Sequence, residues 1–377
     1  MRLVIDYTPA VHQGAGIGRH TRELVSALAP LTGDSTTTLL VFGRSDGPLP
    51  QPPAGMSLRV IPVPNRWLTI GWHRARMPLP VELFAGSHDL YHASDFVLPP
   101  VRKARTLLTV HDLSFLTVPQ CADASLRSYL AGVVPRSVAR ADHILADSQA
   151  TKDDLVRLLR TPHDKVTVVT PGVDARFAPV DDPDELRRVR DRYNIGSKPF
   201  VLGVGTLEPR KNWPALIRAW TILRQTTPLP HRLVIAGGKG WLTDEIYSTI
   251  DRSSSREDIV LAGFVADADL PALYSAADVF AFPSLYEGYG IPVLEALACG
   301  TPVVCANNSS LPEAGGDSAL LVDALDVNQL AVALQRLIED QPLRGVLRER
   351  GLHHAARFTW RRSAETLWRT YHQVLNG

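Results

Sequence analysis

Short apolar runs alternate with longer segments of helical period along the whole chain, the pattern of parallel sheets joined by crossover helices. In the first half the strand-like runs fall at residues 3–6, 38–42, 58–62, 90–92, 106–110, 143–146 and 166–169. In the second half they fall at 200–205, 232–236, 259–262, 279–282, 302–305 and 319–322. Ser148, just before Gln149-Ala150-Thr151, is a good helix N-cap. Residues 179–198 turn acidic, then arginine-rich, with no strand pattern, and this predicts the connection between two domains. Two helical segments split by Gly351 close the chain, the last of them from Thr359 and rich in Trp, Tyr and Leu. There is no repeat of solenoid length and no low-complexity tract.

Composition narrows the picture. The 377 residues suffice for about two domains, each with a full core. A hydrophobic fraction of 45% and a charged fraction of 21% are those of an ordinary soluble protein. Lys+Arg of 40 against Asp+Glu of 39 leaves no global field to draw nucleic acid, so that class is set aside. Cys121, Cys299 and Cys305 are too few for a disulfide framework or a spaced metal cluster, and the last two read as buried small hydrophobes. The N-terminus reads as a strand rather than a signal peptide, and no apolar run approaches transmembrane length. A cytoplasmic enzyme is expected. One stretch is locally basic: between Asp46 and Glu82 there is no acid, while Arg59, Arg66, Arg74 and Arg76 accompany Trp67, Ile70 and Trp72. The simpler reading is a loop and short helix packing its tryptophans inward. The sharper one is a peripheral membrane or lipid-acceptor patch near Arg66 to Arg76, at the inner face of a membrane.

The densest chemistry lies in Pro283-Ser284-Leu285-Tyr286-Glu287-Gly288-Tyr289-Gly290-Ile291-Pro292-Val293-Leu294-Glu295. One carboxylate sits on a glycine-rich loop and a second just inside the following helix. Gly288 and Gly290 keep the backbone uncrowded, and Pro292 suits a first helical position. The helix start offers unpaired N–H groups to an anion or to sugar hydroxyls. Singly, Glu295 reads as an acid favouring the helix dipole and Glu287 as a solvated loop acid. Together, in this frame, they point to an enzyme for a charged, hydroxyl-rich ligand.

This stretch resembles the Glu-x7-Glu signature of the retaining glycosyltransferases of family 4, and the similarity runs in order from Gly14 to near Trp360. The resemblance implies an α/β GT-B fold: two Rossmann-like domains facing across a cleft, whose closure would exclude water. Residues 1–175 would form the acceptor-side domain and 176–358 the nucleotide-sugar domain, with a last helix, about 359–377, returning to the first.

The other motifs are read beside that resemblance. Gly14-Ala15-Gly16-Ile17-Gly18 follows the first strand and opens a helix from Arg19. Alone it is a weak signal. A dinucleotide dehydrogenase would need a tighter glycine turn and an acid after the second strand, where this chain has Phe42-Gly43-Arg44. In the family the matching loop overhangs the cleft near donor phosphate and acceptor, which singles out Gly16 and Gly18. His111-Asp112 follows an apolar strand at the end where open α/β sheets place ligands. A lone His is more often structural, but 110–116 resembles the family's His-Asp-Leu segment, which gives His111 a sugar-positioning role and transition-state hydrogen bonding. Gly205-Thr206-Leu207-Glu208-Pro209-Arg210-Lys211-Asn212 places cations at a helix start, suited to a departing diphosphate. Lys211 matches the family's phosphate lysine. Thr206 stands where many members carry arginine, and Arg210 is the expected substitute.

Gly263-Phe264-Val265 resembles the segment that holds the nucleotide base. Gly290 and Ile291 join the donor site at the helix start. Glu295 matches the acid that accepts the ribose hydroxyls, and Glu287 the acid that faces the transferred sugar. Asp267-Ala268-Asp269 imitates a metal motif, but its position before a helical run predicts an N-capping acid and no metal. The resemblance implies retaining, metal-independent hexosyl transfer from a nucleotide-diphosphate sugar to a glycan or lipid-linked hydroxyl, in polysaccharide biosynthesis and with no other cofactor. The variant Gly-Thr-Leu-Glu-Pro-Arg-Lys-Asn is similar to mannosyltransferase-like members that use GDP-mannose. A GT-B enzyme acting on a sugar phosphate or small-molecule acceptor, and a non-catalytic sugar-nucleotide-binding subunit, are the alternatives.

Overall fold

A computed structural model of the chain describes residues 1–14, 16–44 and 47–377. It divides into two compact units: Met1–Leu113 with Ser125–Gly172 and Thr359–Gly377, and Ser114–Ala124 with Val173–Phe358. In the first unit, β1 (Arg2–Asp6), β2 (Thr36–Phe42), β3 (Met56–Ile61), β4 (Leu90–Ala93), β5 (Arg105–Val110), β6 (His143–Ala146) and β7 (Val166–Val168) form one sheet in the order β3-β2-β1-β4-β5-β6-β7. All its neighbours pair in parallel. Strand order reverses between β1 and β4, so the ligand crevice of such a sheet belongs at their carboxyl ends.

The C-terminal helix Trp360–Asn376 covers one face of this sheet. It buries Trp360, Ala364, Leu367, Tyr371 and Val374, one residue per turn, and each large side chain so buried stabilises by about 1.5–3 kcal/mol. The Thr359 hydroxyl accepts the Arg362 N–H at 3.3 Å to start the helix. Ser363 Oγ donates to the Thr170 carbonyl at 2.6 Å, and Tyr371 Oη meets His92 Nδ1 at 2.8 Å.

The second unit repeats the plan. Its strands β8 (Phe200–Val204), β9 (Arg232–Ala236), β10 (Ile259–Gly263), β11 (Val279–Phe282), β12 (Val303–Ala306) and β13 (Ala319–Val322) are ordered β10-β9-β8-β11-β12-β13. Period-two alternation sends Leu202, Val234, Phe280 and Phe282 into one core. It sends Val201, Leu233, Val279 and Ala281 into the other. Here the order reverses between β8 and β11.

Four features depart from the sequence reading. Residues 179–198 are not a linker: Pro183–Arg192 is a helix of the second unit, capped by Asp182, with Val189 in the core. Residues 114–124 group with the second unit rather than the first, and Trp241 Nε1 donates to the Cys121 carbonyl at 2.8 Å. Gly351 does not split the last helices but lies inside Gln341–Ala355, where a Cβ would meet Leu297 Cδ2 at 2.8 Å. In the basic stretch Trp72 is buried and donates to the Leu79 carbonyl, whereas Trp67 is 57% exposed. Among the described residues no helix is long and apolar enough to cross a membrane.

Candidate active site

At the carboxyl end of β8 the chain turns through Gly205 (φ 155°), where the stem of Lys211 packs against the missing side chain. Gly237, after β9, makes the turn possible, since a Cβ there would sit 1.9 Å from the Gly205 carbonyl oxygen. Pro209–Lys211 forms one tight turn, Asn212 takes a left-handed conformation, and the helix Trp213–Thr226 follows. Asn212 Nδ2 donates to the carbonyls of Pro283 and Ala324, fixing this turn to the loop after β11.

That loop brings Glu287 to the two cations. Lys211 Nζ donates to Oε1 at 2.6 Å, and Arg210 Nη1 to Oε2 at 2.7 Å. Arg210 Nη2 donates to Glu208 Oε1 at 2.7 Å. Two buried acids thus balance two cations, and Lys211 Nζ also lies 4.8 Å from the Phe282 ring centre. Burial opposes charge on Glu287, but Arg210 and Lys211 outweigh it and hold the carboxyl down to about 2. Burial also lowers the Lys211 ammonium, partly offset by Glu287. Glu208 had no assigned role in the sequence; its signal was an acid two residues before an arginine in a strand-end turn. Thr206 is exposed and its carbonyl accepts the Trp213 indole N–H.

Glu287 is anchored through its backbone: its N–H donates to Ser309 Oγ, and its carbonyl accepts from Ser310 Oγ. Gly290 (φ 102°) precedes the helix Ile291–Ala298, so Pro292 takes the second helical position. Glu295 is buried in that helix and accepts from Tyr274 Oη at 3.0 Å. Gly263 ends β10 with φ 70°; Phe264 beyond it is 70% exposed, and Val265 is buried. Asp269 stands at the N-cap position of the helix Leu270–Ser275, but its side chain makes no capping hydrogen bond. Its carboxylate takes Arg188 at 2.7 Å, Arg192 at 3.1 Å and the Tyr193 hydroxyl at 2.7 Å.

In the first unit Gly16 (φ 56°) precedes the helix Ile17–Leu28, and Ala15 lies outside the described residues. A Cβ on Gly18 would sit 2.0 Å from the Gln13 carbonyl oxygen. Arg22, which the sequence did not single out, ties this loop by donating to the carbonyls of Ala10, Gln13 and Gly14. His111, following β5, donates from Nδ1 to Asp147 Oδ2 at 2.8 Å and from Nε2 to the Ser94 carbonyl at 3.0 Å. A ring that donates twice is an imidazolium. Burial disfavours that charge, but Asp147 above all, with Asp95, raises His111 to about 9. Both nitrogens are therefore engaged, and a sugar hydroxyl would have to replace Ser94 to reach the ring.

His20, His111 and Asp147 are the one group among the described residues close enough to share a metal ion. The His111–Asp147 ion pair accounts for their closeness, with His20 Nε2 at 3.6 Å from Asp147 and burial holding His20 down to about 4.

Comparisons with known proteins agree in order with these elements. The family model described as Glycosyltransferase Family 4 matches residues 14–177, and that described as Glycosyl transferases group 1 matches residues 187–354. O-antigen chain mannosyltransferase B of Escherichia coli is 31% identical over 373 residues, covering 96% of both chains. D-inositol 3-phosphate glycosyltransferase of Salinispora arenicola is 34% identical over 319 residues, 77% of this chain and 70% of that one. Among solved structures, sucrose-phosphate synthase from Thermosynechococcus elongatus superposes with a TM-score of 0.78 at 20% identity, over 100% and 99% of the two chains.

Proposed function

The chain belongs to glycosyltransferase family 4, with the GT-B fold, and from that we infer that it transfers mannose from GDP-mannose to a hydroxyl of a glycan or lipid-linked acceptor. The observation that carries this reading is the pair Arg210 and Lys211 at the switch point of the second sheet, both spent on buried carboxylates. A diphosphate arriving there competes for cations already aimed at one place. As the anomeric C–O bond breaks, negative charge grows on the leaving oxygen, where such cations stabilise most. Glu287, held ionised near neutral pH, is a fixed anion rather than an acid–base group. Its part is to offset positive charge on the anomeric carbon.

The proposed transfer proceeds with retention. The acceptor hydroxyl attacks on the face the diphosphate leaves; the new C–O bond forms as the old one breaks, and a leaving phosphate oxygen takes the proton. Glu295 reads the ribose hydroxyls, and the exposed Phe264 ring and residues 263–265 meet the base. Gly16 and Gly18 let the loop approach phosphate and acceptor, and His111 positions a sugar hydroxyl that takes the place of the Ser94 carbonyl on Nε2. No metal or other cofactor is proposed, because Arg210 and Lys211 supply the positive charge. A thermal-shift screen of GDP-, UDP-, ADP- and dTDP-sugars tests the donor. GDP-mannose should raise the melting temperature most; a chelator that abolished turnover would overturn metal independence.

A peripheral stay at the cytoplasmic face of a membrane is the second part of the proposal. Exposed Trp67, Ile70, Met77, Leu79 and Leu83 lie beside exposed Arg66, Arg74 and Arg76, a mixture suited to an anionic interface carrying a lipid-linked acceptor. Co-sedimentation with vesicles containing anionic lipid should fall in Trp67→Ala; equal binding by the variant would remove this part.

A further inference from the structure

The first unit has its own switch point, and a cavity of about 390 Å³ opens there. That is within the roughly 300–1,000 Å³ typical of small-ligand sites. Asp6 ends β1 and Asp95 follows β4, so the two carboxylates come from the strands on either side of the reversal. Thr8 N–H donates to Asp6 Oδ1 at 2.9 Å, and Gln13 Nε2 donates to Asp95 Oδ2 at 3.1 Å. These contacts fix the direction in which each acid faces its donors. Phe42, Trp72, Phe96 and Tyr129 supply ring walls.

An independent observation points to an occupant. Tyr91 lines the same cavity and is 0% exposed, yet its hydroxyl has no hydrogen-bond partner among the described residues. Buried polar groups are nearly always paired. The charges narrow the ligand's chemistry. Neither Lys nor Arg is among the lining residues, and Arg22 at the adjoining loop is spent on three carbonyls. Burial, with the charges of Arg140 and Arg136 adding to it, holds His73, also in the lining, down to about 4, so it is neutral at pH 7. Burial, and the charge of Asp95 nearby, push Asp6 up to about 6, so the site already strains to hold two negative charges. Within the lining a phosphate would meet two carboxylates and no lysine or arginine; Arg74, Arg136 and Arg140 act on Tyr129 and His73 only from beyond it. A neutral ring with several hydroxyls would donate to both acids, pair with the phenol and lay its C–H faces on the aromatic walls.

We propose that Asp6, Asp95 and Tyr91 form the acceptor subsite and select an uncharged, hydroxyl-rich sugar over a phosphorylated one. This rests on the reading of the chain as a transferase to a hydroxyl acceptor. It separates this chain from a transferase that takes a sugar or polyol phosphate at this position.

The test is binding of two probes, methyl α-mannopyranoside and mannose 6-phosphate, to the full chain by ligand-observed NMR. The mannoside should bind at least about tenfold more tightly than mannose 6-phosphate. Asp95→Asn should weaken the mannoside on the order of tenfold, the scale of a lost hydrogen bond to a charged group, and should narrow the gap to mannose 6-phosphate. Tyr91→Phe keeps the ring, so it should hold its melting temperature while weakening the mannoside. Mannose 6-phosphate binding as tightly as the mannoside, or affinities unchanged in both variants, would overturn the proposal, as would no binding of either probe. GDP-mannose thermal shift on the same samples keeps the two readings apart. A shift with failed probe contrasts sinks only the subsite, and probe contrasts without a shift sink only the donor.

Discussion

Lys211 and Glu287 form a buried ion pair, Nζ to Oε1 at 2.6 Å, and Arg210 holds the other carboxylate oxygen at 2.7 Å. The cluster is electrically balanced before any ligand arrives, because Glu208 offsets the second cation. Such an arrangement keeps two cations desolvated and oriented, so little reorganisation remains when phosphate charge develops.

Lys211→Ala should therefore lower kcat on the order of 10²–10³-fold, the scale of removing one preorganised donor. KM for the donor should change far less, because the interaction strengthens in the transition state. Steady-state kinetics with varied GDP-mannose checks this; a rise in KM with kcat intact would assign Lys211 to ground-state binding.

Glu287 and Glu295 should separate in kinetics. Glu287→Ala should reduce turnover more than donor affinity, whereas Glu295→Ala should weaken nucleotide binding through lost ribose hydrogen bonds. Equal and small effects, measured by turnover and by GDP titration, would make both acids structural.

The His111–Asp147 pair sets a pH dependence of stability. The folded value of His111, about 9, lies above its ordinary 6.5. Its stabilisation is therefore fully present below pH 6.5 and is lost as pH rises through about 9, on the order of 3 kcal/mol in all. Urea unfolding at about pH 7 and pH 10 should show the loss in the natural chain and a much flatter profile in Asp147→Asn.

Gly237→Ala should destabilise without touching a ligand. The added methyl would press on the Gly205 carbonyl, 1.9 Å away in the undisturbed backbone. Overpacking of this kind costs about 1–3 kcal/mol, roughly 2–4 °C of melting temperature per kcal/mol in a unit of this size. Turnover should fall with it, since the displaced turn carries Lys211.

The strands were legible because runs such as Val279-Phe280-Ala281-Phe282 are apolar on both faces, as a doubly covered parallel strand must be. Ser148 was legible for a local reason: its hydroxyl accepts the Thr151 N–H, a contact three residues long. What could not be read depends on partners distant in sequence. Gly351 looked like a helix break because nothing nearby shows Leu297 packed against it. Asp269 looked like a cap because Arg188, Arg192 and Tyr193 lie some eighty residues upstream. Trp67 and Trp72 share one composition, and only the packing of Trp72 against Phe42 and Phe84 turns one inward. In the same way Glu287 was placed by its motif, while the two cations on its oxygens were visible only in the fold.

The most direct measurement of the central claim is an NMR assay of the natural chain and Lys211→Ala with GDP-α-mannose and a mannoside acceptor. The product should be α-linked, with release of GDP, and the Lys211→Ala rate should be lower on the order of 10²–10³-fold. A β-linked product, or turnover indifferent to Lys211, would contradict that claim.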